Sequence, residues 1–280
     1  MDAATYFGLE RADRDHWRFE VTPGLTSSVG ALFGGCGLGA ALDVLEHETG
    51  RPAVWATAQY LSFAKPGAVV ELEINEVVRG RMTSQARVLA RVGDAEIFTV
   101  LASLGARDMP EAGSWAIPPV VPPPQASPDR TLAAFHKGTL MEHIVVRLAK
   151  AHDFNADPHG AAPGDGTSAL WVRFADLPVS SATLAVVGDF VPFGISQALG
   201  HRVGGNSLDN TLRIYDRTPT DWILADVRVH RVAHGFGHGL VHLWSEDGRL
   251  LGSASQSVIL RSVDGDGRAV ERNQAGGAKP

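Results

Sequence analysis

The sequence has little of several features that would specify a function. Cys36 is the only cysteine among 280 residues, which excludes an internal disulfide framework and a cysteine-built zinc site. No block of like charge occurs, and the formal net charge is −6, from 25 Lys plus Arg against 31 Asp plus Glu. A nucleic-acid-binding protein usually shows a basic face. We therefore expect no nucleic-acid partner.

Long apolar runs are also missing. No stretch approaches 18 uninterrupted apolar residues, so the sequence predicts no membrane span. The N-terminal segment 1–11 carries acidic residues and no apolar run, so we see no signal peptide. We expect a cytoplasmic protein.

Proline is concentrated in one segment, which divides the chain. Seven of the 16 prolines lie between Met109 and Arg130, and proline this dense sustains neither a helix nor a central strand. We interpret residues 109–130 as a semi-extended linker between an N-terminal domain, 1–108, and a C-terminal domain, 131–264. Residues 265–280 are interpreted as a flexible tail.

The two domains have the same predicted organisation. Each begins with a helical segment of small and apolar residues, Ser28–His47 and Val179–Leu199, followed by four strand-like runs. An offset of 153 residues relates several positions, among them Pro66 and Pro219. The Gly- and Ala-rich first helix has poor intrinsic propensity, so burial under a sheet that approaches it closely must hold it. These features predict an α+β double hotdog fold: two antiparallel sheets, each wrapped around a helix.

Several short motifs, taken in order, resemble one family. In the first half these are the sequences FGG, YLSFAKPG and GRMTSQARV, and in the second half SLDN, DWIL and EDGRLLGSASQ. They resemble the double-hotdog acyl-CoA thioesterases of the thioesterase II, or TesB-like, family over about residues 19–261. The resemblance implies that an Asp, a Thr or Ser, and a Gln orient the hydrolytic water.

Matching the motifs residue by residue assigns a candidate site. Asp209 matches the Asp, Gln256 matches the Gln, and the Thr/Ser position falls on His230, which departs from the family. An ionised carboxylate can accept a proton from water, a Gln amide can donate and accept hydrogen bonds, and a His titrates near neutrality. Gly34 and Gly35 lie at the predicted helix start, where backbone amides can stabilise an oxyanion.

The resemblance implies an enzyme that hydrolyses an acyl-CoA thioester to a free acid and CoA by direct attack of an activated water. Coenzyme A is then part of the substrate, and no further cofactor is expected. Two alternatives stay open: a hotdog enoyl-CoA hydratase or dehydratase using Asp209 with His230, and a non-catalytic acyl-CoA-binding protein. Strand pairing between copies makes a homo-oligomer conceivable.

Two further patterns point to other chemistry. Residues 35–40 satisfy the dinucleotide pattern G-x-G-x-x-A, but no acid occurs between Glu48 and Glu71, where that motif needs one. Four histidines spaced by four run from His230 to His242, and a hairpin turning at Phe236 would set His230 opposite His242. Interrupting glycines and flanking valines argue against a metal-binding helix face, so we assign no metal site.

Overall fold

The computed structural model describes residues 1–262. Four helices are present in this part of the chain: α1 (Ala3–Phe7), α2 (Gly34–Thr49), α3 (Ser181–Gly188) and α4 (Val191–Leu199). The strands are β1 (Glu10–Arg11), β2 (His16–Glu20), β3 (Ala53–Tyr60), β4 (Val69–Arg79), β5 (Thr83–Val92), β6 (Ala95–Gly105), β7 (Ile144–Lys150), β8 (Thr167–Phe174), β9 (Gly204–Ser207), β10 (Asp209–Ile214), β11 (Ile223–Ala233), β12 (Phe236–Ser245) and β13 (Leu250–Arg261).

All thirteen strands belong to one antiparallel sheet that continues through both halves of the chain. Its order is β1-β2-β4-β5-β6-β3-β10-β13-β12-β11-β8-β7, and β9 pairs with the end of β13. The two halves join where β3 pairs with β10. At this junction Thr57 lies opposite Thr211, and their hydroxyl oxygens are 2.7 Å apart. The predicted α+β double hotdog fold, with two sheet halves and a central helical segment in each, is confirmed.

The strand register makes the internal repeat measurable. Thr57 pairs with Leu101 of β6, as Thr211 pairs with Ser255 of β13. The offset is therefore 154 residues at the centre of the sheet (211 − 57 and 255 − 101). The offset of 153 predicted from the sequence is one residue short here, so the position equivalent to Ala102 is Gln256 and not Ser255.

The small residues of α2 accept another helix as well as the sheet. A Cβ at Gly35 would lie 2.7 Å from both the carbonyl oxygen of Ala185 and the Cα of Val186, and Gly39 meets the backbone of Ala182 in the same way. Gly37, on another side of the helix, faces the ring of Phe98 in β6. The sequence predicted close approach by the sheet alone. The structure shows that α3 is the closer neighbour at Gly35 and Gly39.

The proline-rich segment between the halves has little regular structure. After β6 the chain contains only a short 3-10 helix at Pro124–Ala126 before residue 130. The segment lies along the second half of the sheet, where the indole of Trp171 donates a hydrogen bond to the carbonyl of Pro122 at 2.9 Å. A small apolar cluster that includes Trp171, Trp222 and Trp244 packs with Val121 of this segment. The predicted tail, 265–280, lies outside the described residues.

The second predicted helix, Val179–Leu199, is two helices in the structure. Ser180 and Thr183 form a capping box that starts α3, and Pro192 occupies the first turn of α4. Together, Ser181–Leu199 has the length and composition of a membrane-crossing helix, but 72% of that window is buried inside the fold. A buried apolar segment of this kind is typical of a core helix.

Candidate active site

The break between α3 and α4 carries a buried carboxylate. Asp189 follows the last residue of α3 and is only 5% exposed. It is the only charged residue between positions 179 and 199. Because a buried charge is costly unless hydrogen bonds satisfy it, the partners of Asp189 define the site.

Three groups from three elements donate to this carboxylate. The N–H of Gly35, in the first turn of α2, donates to Asp189 Oδ2 at 2.7 Å. Gln256 Nε2, from β13, and Ser207 Oγ, from the end of β9, both donate to Asp189 Oδ1, the hydroxyl at 3.2 Å. Gln256 Nε2 also lies 3.1 Å from Ser207 Oγ, and Gln256 Oε1 accepts from the N–H of Val191 at 3.3 Å. The two halves of the chain therefore meet at one carboxylate.

Burial changes the acidity of this group. Desolvation raises the pKa of Asp189 to about 6, although the hydrogen bonds from Gln256, Gly35 and Ser207 act in the opposite direction. The carboxyl is therefore mostly ionised at pH 7, and it is a stronger base than an ordinary aspartate with a pKa of about 3.9.

A tyrosine and a glycine complete the inner wall of the site. Asp189 Oδ2 and the hydroxyl of Tyr60 lie 2.8 and 3.0 Å from the point where a Cβ of residue 34 would stand, so any larger residue would displace these two side chains. The Tyr60 hydroxyl is buried and makes no hydrogen bond within residues 1–262. Burial and the nearby Asp189 raise the pKa of Tyr60 well above its usual value, so the hydroxyl stays protonated. It can only act as a neutral hydrogen-bonding group.

The carboxylate lines a cavity of about 460 Å³. Gly34, Tyr60, Asp189 and Ser207 contribute the polar wall next to the carboxylate. Apolar side chains cover much of the remainder: Val29, Leu32, Phe33, Leu61, Phe63, Phe135, Phe154, Phe190 and Phe193. A mostly apolar cavity with a few convergent polar groups and a perturbed carboxylate is the expected form of a small-molecule site.

Comparison with known proteins agrees with this geometry. The profile of the acyl-CoA thioesterase C-terminal domain matches residues 118–260, and that of the N-terminal domain matches residues 22–105. The chain belongs to the acyl-CoA thioesterase family. A crystal structure of a candidate thioesterase from Novosphingobium aromaticivorans is 34% identical, with a TM-score of 0.80, over 91% of this chain and 98% of that one.

Two further structures show the same fold at lower identity. A hot dog fold protein of unknown function from Alicyclobacillus acidocaldarius is 21% identical with a TM-score of 0.81, over 93% of this chain and 98% of that one. The TesB protein of Mycobacterium avium subspecies paratuberculosis is 17% identical with a TM-score of 0.75, over the same shares. Among curated proteins, no sequence matches. The resemblance to TesB-like thioesterases seen in the sequence is confirmed.

Of the five predicted site residues of this acyl-CoA thioesterase family member, the structure brings three together. Gln256, Gly34 and Gly35 all lie around Asp189. Asp209 does not join them: its Oδ1 accepts a hydrogen bond from the backbone N–H of Ser257 at 2.8 Å. Side chains alternate along a strand, and the neighbouring Asn210 is the fully buried one. The predicted grouping of Asp209 with Gln256 is therefore corrected to Asp189 with Gln256.

His230 is likewise outside the cluster. Its side chain is exposed, and it falls at a register shift between Val229 and Arg231, where β11 has one residue more than β12. The hairpin turns at His234 and Gly235, both with positive φ, and not at Phe236. His242 consequently lies opposite Asp226 and not opposite His230. The Asp209–His230 pair required by the hydratase alternative does not form.

The spacing of the histidines from His230 to His242 raised the question of a metal site. Across residues 1–262, no group of three or more His, Cys, Asp or Glu side chains is placed to hold a metal ion. The free Cys36 is fully buried, and burial raises the pKa of its thiol well above the usual value.

Asp189, Ser207 and Tyr60 were missed by the sequence analysis. Asp189 was treated as part of one continuous helix. However, the apolar 21-residue segment contains this one acid, preceded by Gly188 and followed by Pro192, and this pattern indicates a helix break. Ser207 stands two residues before Asp209 in the same predicted motif, and its hydroxyl, unlike the Asp209 carboxylate, reaches Asp189. No local pattern singles out Tyr60.

Proposed function

We propose that this chain is an acyl-CoA thioesterase that hydrolyses an acyl-CoA thioester to the free carboxylic acid and CoA, with a water activated by Asp189. The observation that supports this most is the buried carboxylate of Asp189, hydrogen-bonded to Gln256 and Ser207 on the wall of an apolar cavity. The family supplies the substrate class, and the cavity supplies space for an acyl chain.

Asp189 acts as the general base in this proposal. A base works best when its pKa lies near the operating pH, and burial moves the pKa of Asp189 to about 6. At neutral pH the carboxylate is therefore ionised and ready to accept a proton from water.

Gln256 and Ser207 fix the geometry around the base. The contact from the Val191 N–H to Gln256 Oε1 holds the amide so that Nε2 faces Asp189. The Ser207 hydroxyl can rotate, so it can donate to the carboxylate or accept from a water molecule. Together these two side chains orient the carboxylate and the attacking water.

The carbonyl oxygen of the thioester is assigned to the N-terminus of α2. The N–H of Gly35 already donates to Asp189, so it positions the base. The N–H of Gly34 has no acceptor within residues 1–262 and opens the 16-residue helix, so it offers the donor to the developing oxyanion. The expectation that both glycines serve the oxyanion is thus narrowed to Gly34.

The reaction needs no covalent enzyme intermediate. The water oxygen forms a bond to the thioester carbon while Asp189 takes the proton, which gives a tetrahedral oxyanion. Its collapse breaks the carbon–sulfur bond, and the departing thiolate takes the proton from Asp189. The fully buried Cys36, with its raised thiol pKa, is unsuited to act as a nucleophile.

The test compares two aspartates that the sequence and the structure assign differently. We expect Asp189→Asn to lower kcat for thiol release from acyl-CoA by at least about 100-fold, because a missing general base costs roughly 10²–10⁴-fold. Asp209→Asn should stay within about threefold of the unmodified chain, since its Oδ1 can still accept from Ser257.

Free thiol is the measured product, because hydration of an enoyl thioester releases none. Thermal unfolding of both variants shows that each is folded. Normal thiol release by Asp189→Asn, or loss of release only in Asp209→Asn, would refute the assignment of the base. Tight acyl-CoA binding by the unmodified chain without thiol release would favour the non-catalytic alternative.

A further inference from the structure

A basic cluster lines the same cavity as Asp189. Arg130 and Arg202 both line this cavity, together with His136 and Asp153. Both arginines lie close enough to His136 to lower its pKa. The negative charge of Asp153 acts on both arginines and favours their protonated forms. We call these four residues the basic cluster.

Hydrogen bonds hold the cluster in place. Asn155 Nδ2 donates to the carbonyl of Thr131 at 2.6 Å, and Asn155 Oδ1 accepts from Arg202 Nη2 at 2.9 Å. Arg202 Nη2 also donates to the carbonyl of Phe154 at 2.5 Å, and its guanidinium stands 4.8 Å from the centre of the Phe135 ring. Arg202 therefore stays in position without a ligand.

The positive charge of the cluster is not neutralised by the chain. No carboxylate oxygen within residues 1–262 lies within 4.0 Å of either guanidinium. The only acid in the cluster, Asp153, uses its oxygens to accept from the backbone N–H groups of Thr131 and Asn155 at 2.8 and 3.0 Å. Arg202 Nη1 is buried without a partner, and the side chain of Arg130 makes no hydrogen bond within the same residues.

The histidine adds no charge. Burial and the two arginines lower the pKa of His136 to about 4, so its ring is neutral at pH 7. The cluster thus contains two positive charges and one negative charge, in a chain whose formal net charge is −6. Partly desolvated guanidinium groups with unused donors are the usual recognition elements for carboxylates and phosphates.

We infer that Arg130 and Arg202 form an anion-binding subsite that receives an anionic group of the thioester substrate. The inference rests on the proposed function for the identity of the substrate. Two parts of such a substrate carry the required chemistry: the phosphates of the CoA carrier, and a carboxylate at the far end of the acyl chain. Both guanidinium groups line the cavity that also contains Asp189.

The experiment measures binding and not turnover, so that it remains readable if hydrolysis fails. In an Asp189→Asn background, calorimetry gives the Kd of four thioesters: a six-carbon acyl chain with or without a terminal carboxylate, each on CoA or on pantetheine, which has no phosphate. Arg130→Gln is the main variant because it breaks no hydrogen bond within residues 1–262. Arg130→Lys keeps the charge, and Arg87→Gln removes an exposed arginine of β5 outside the cavity.

If the subsite binds phosphate, Arg130→Gln raises the Kd of both CoA esters at least about tenfold and leaves both pantetheine esters within twofold. If it binds a distal carboxylate, the same loss follows the carboxylate on both carriers. Arg130→Lys should retain most of the affinity in either case, and Arg87→Gln should change none of the four values. An Arg130→Gln effect that is equal for all four ligands, or absent from all four, overturns the inference.

Discussion

The two halves of this acyl-CoA thioesterase family member share a fold but differ at the residues around Asp189. The 154-residue offset read from the strands equates Ala102 of β6 with Gln256 of β13. The first half therefore has a methyl group where the second half has the amide that donates to Asp189. Gly35 of the first half contributes only a backbone N–H to this carboxylate.

The contact between Gly35 and Asp189 joins the two halves at the site. The Gly35 N–H donates to the Asp189 carboxylate. A Cβ at Gly35 would lie 3.1 Å from the Cβ of Asp189 and 2.7 Å from the carbonyl oxygen of Ala185. The close approach of the two halves therefore leaves no room for a side chain at residue 35, least of all for a second carboxylate.

Adding a methyl group at Gly35 is expected to give the largest effect on the packing between the two halves. Gly35→Ala must push α2 away from α3, because the obstructing atoms belong to the backbone. Overpacking costs about 1–3 kcal/mol, and we expect Tm to fall by roughly 3–10 °C. We expect kcat to fall at least about tenfold, because the N–H bond to Asp189 is displaced. Thermal unfolding and thiol release measure both effects.

Gly37→Ala is the matched control, in the same helix. Its Cβ would meet the ring of Phe98 and one methyl group of Leu32, which are side chains that can shift. Alanine is also the better helix former by about 1 kcal/mol. If Gly35→Ala unfolds no earlier than Gly37→Ala and is equally active, the close packing of the halves is not what restricts residue 35.

The raised pKa of Asp189 gives a second prediction, because the first-half residue that contacts it, Gly35, has no titratable side chain. With a pKa of about 6, the ionised fraction falls about tenfold between pH 7 and pH 5, and kcat should fall with it. Stability should change in the opposite direction. The pKa is raised on folding, so the stability contributed by protonated Asp189 is present below about pH 3.8 and is lost as pH rises through about 6.

Asp189→Asn provides the reference for both pH effects. Its residual activity should lack the step near pH 6, and its Tm should exceed that of the unmodified chain by an amount that grows from about pH 3.8 to about pH 6 and is constant above that range. Both quantities come from thiol release and thermal unfolding across pH 4–8. A step near pH 6 that persists in the variant would assign the titration to another group.

Much of the fold could be predicted because it depends on repeated local patterns. The alternation in β4 and β5 and the paired turns gave the sheet, and the motif order gave the family. The offset was one residue short because matching residue types does not fix the register of a strand, whereas the pairing of Thr57 with Thr211 does.

The site was harder to predict because long-range packing creates it. Gln256 was identified from its motif, but its partner was placed at Asp209 and not at Asp189. A local pattern does not show which of two acids becomes buried. Asp209 accepts from Ser257 at the start of β10, whereas Asp189 lies in a helix break where α2 contributes a hydrogen-bond donor. The donor from Gly35 lies 154 residues away in the sequence.

The smallest expected effect concerns two tyrosines of the first half. Tyr60 and Tyr6 both have buried hydroxyl groups without a partner within residues 1–262, and burial raises the pKa of each. Only Tyr60 lines the cavity, whereas Tyr6 packs edge-on against Phe7 and Phe174. Substituting each tyrosine therefore compares the loss of a buried hydroxyl group outside the cavity with the loss of one that lines the cavity.

We expect Tyr60→Phe to lower kcat about two- to tenfold, because the hydroxyl next to Asp189 helps to define the polarity around the base. Tyr6→Phe should leave kcat unchanged. Each substitution removes a buried polar group that makes no hydrogen bond, so each should leave the free energy of unfolding equal or raise it by about 1 kcal/mol. Steady-state thiol release and urea unfolding measure the two quantities. Equal kcat values in both variants would mean that the first half contributes no side-chain hydroxyl to the site, and that its role there is confined to the backbone of α2.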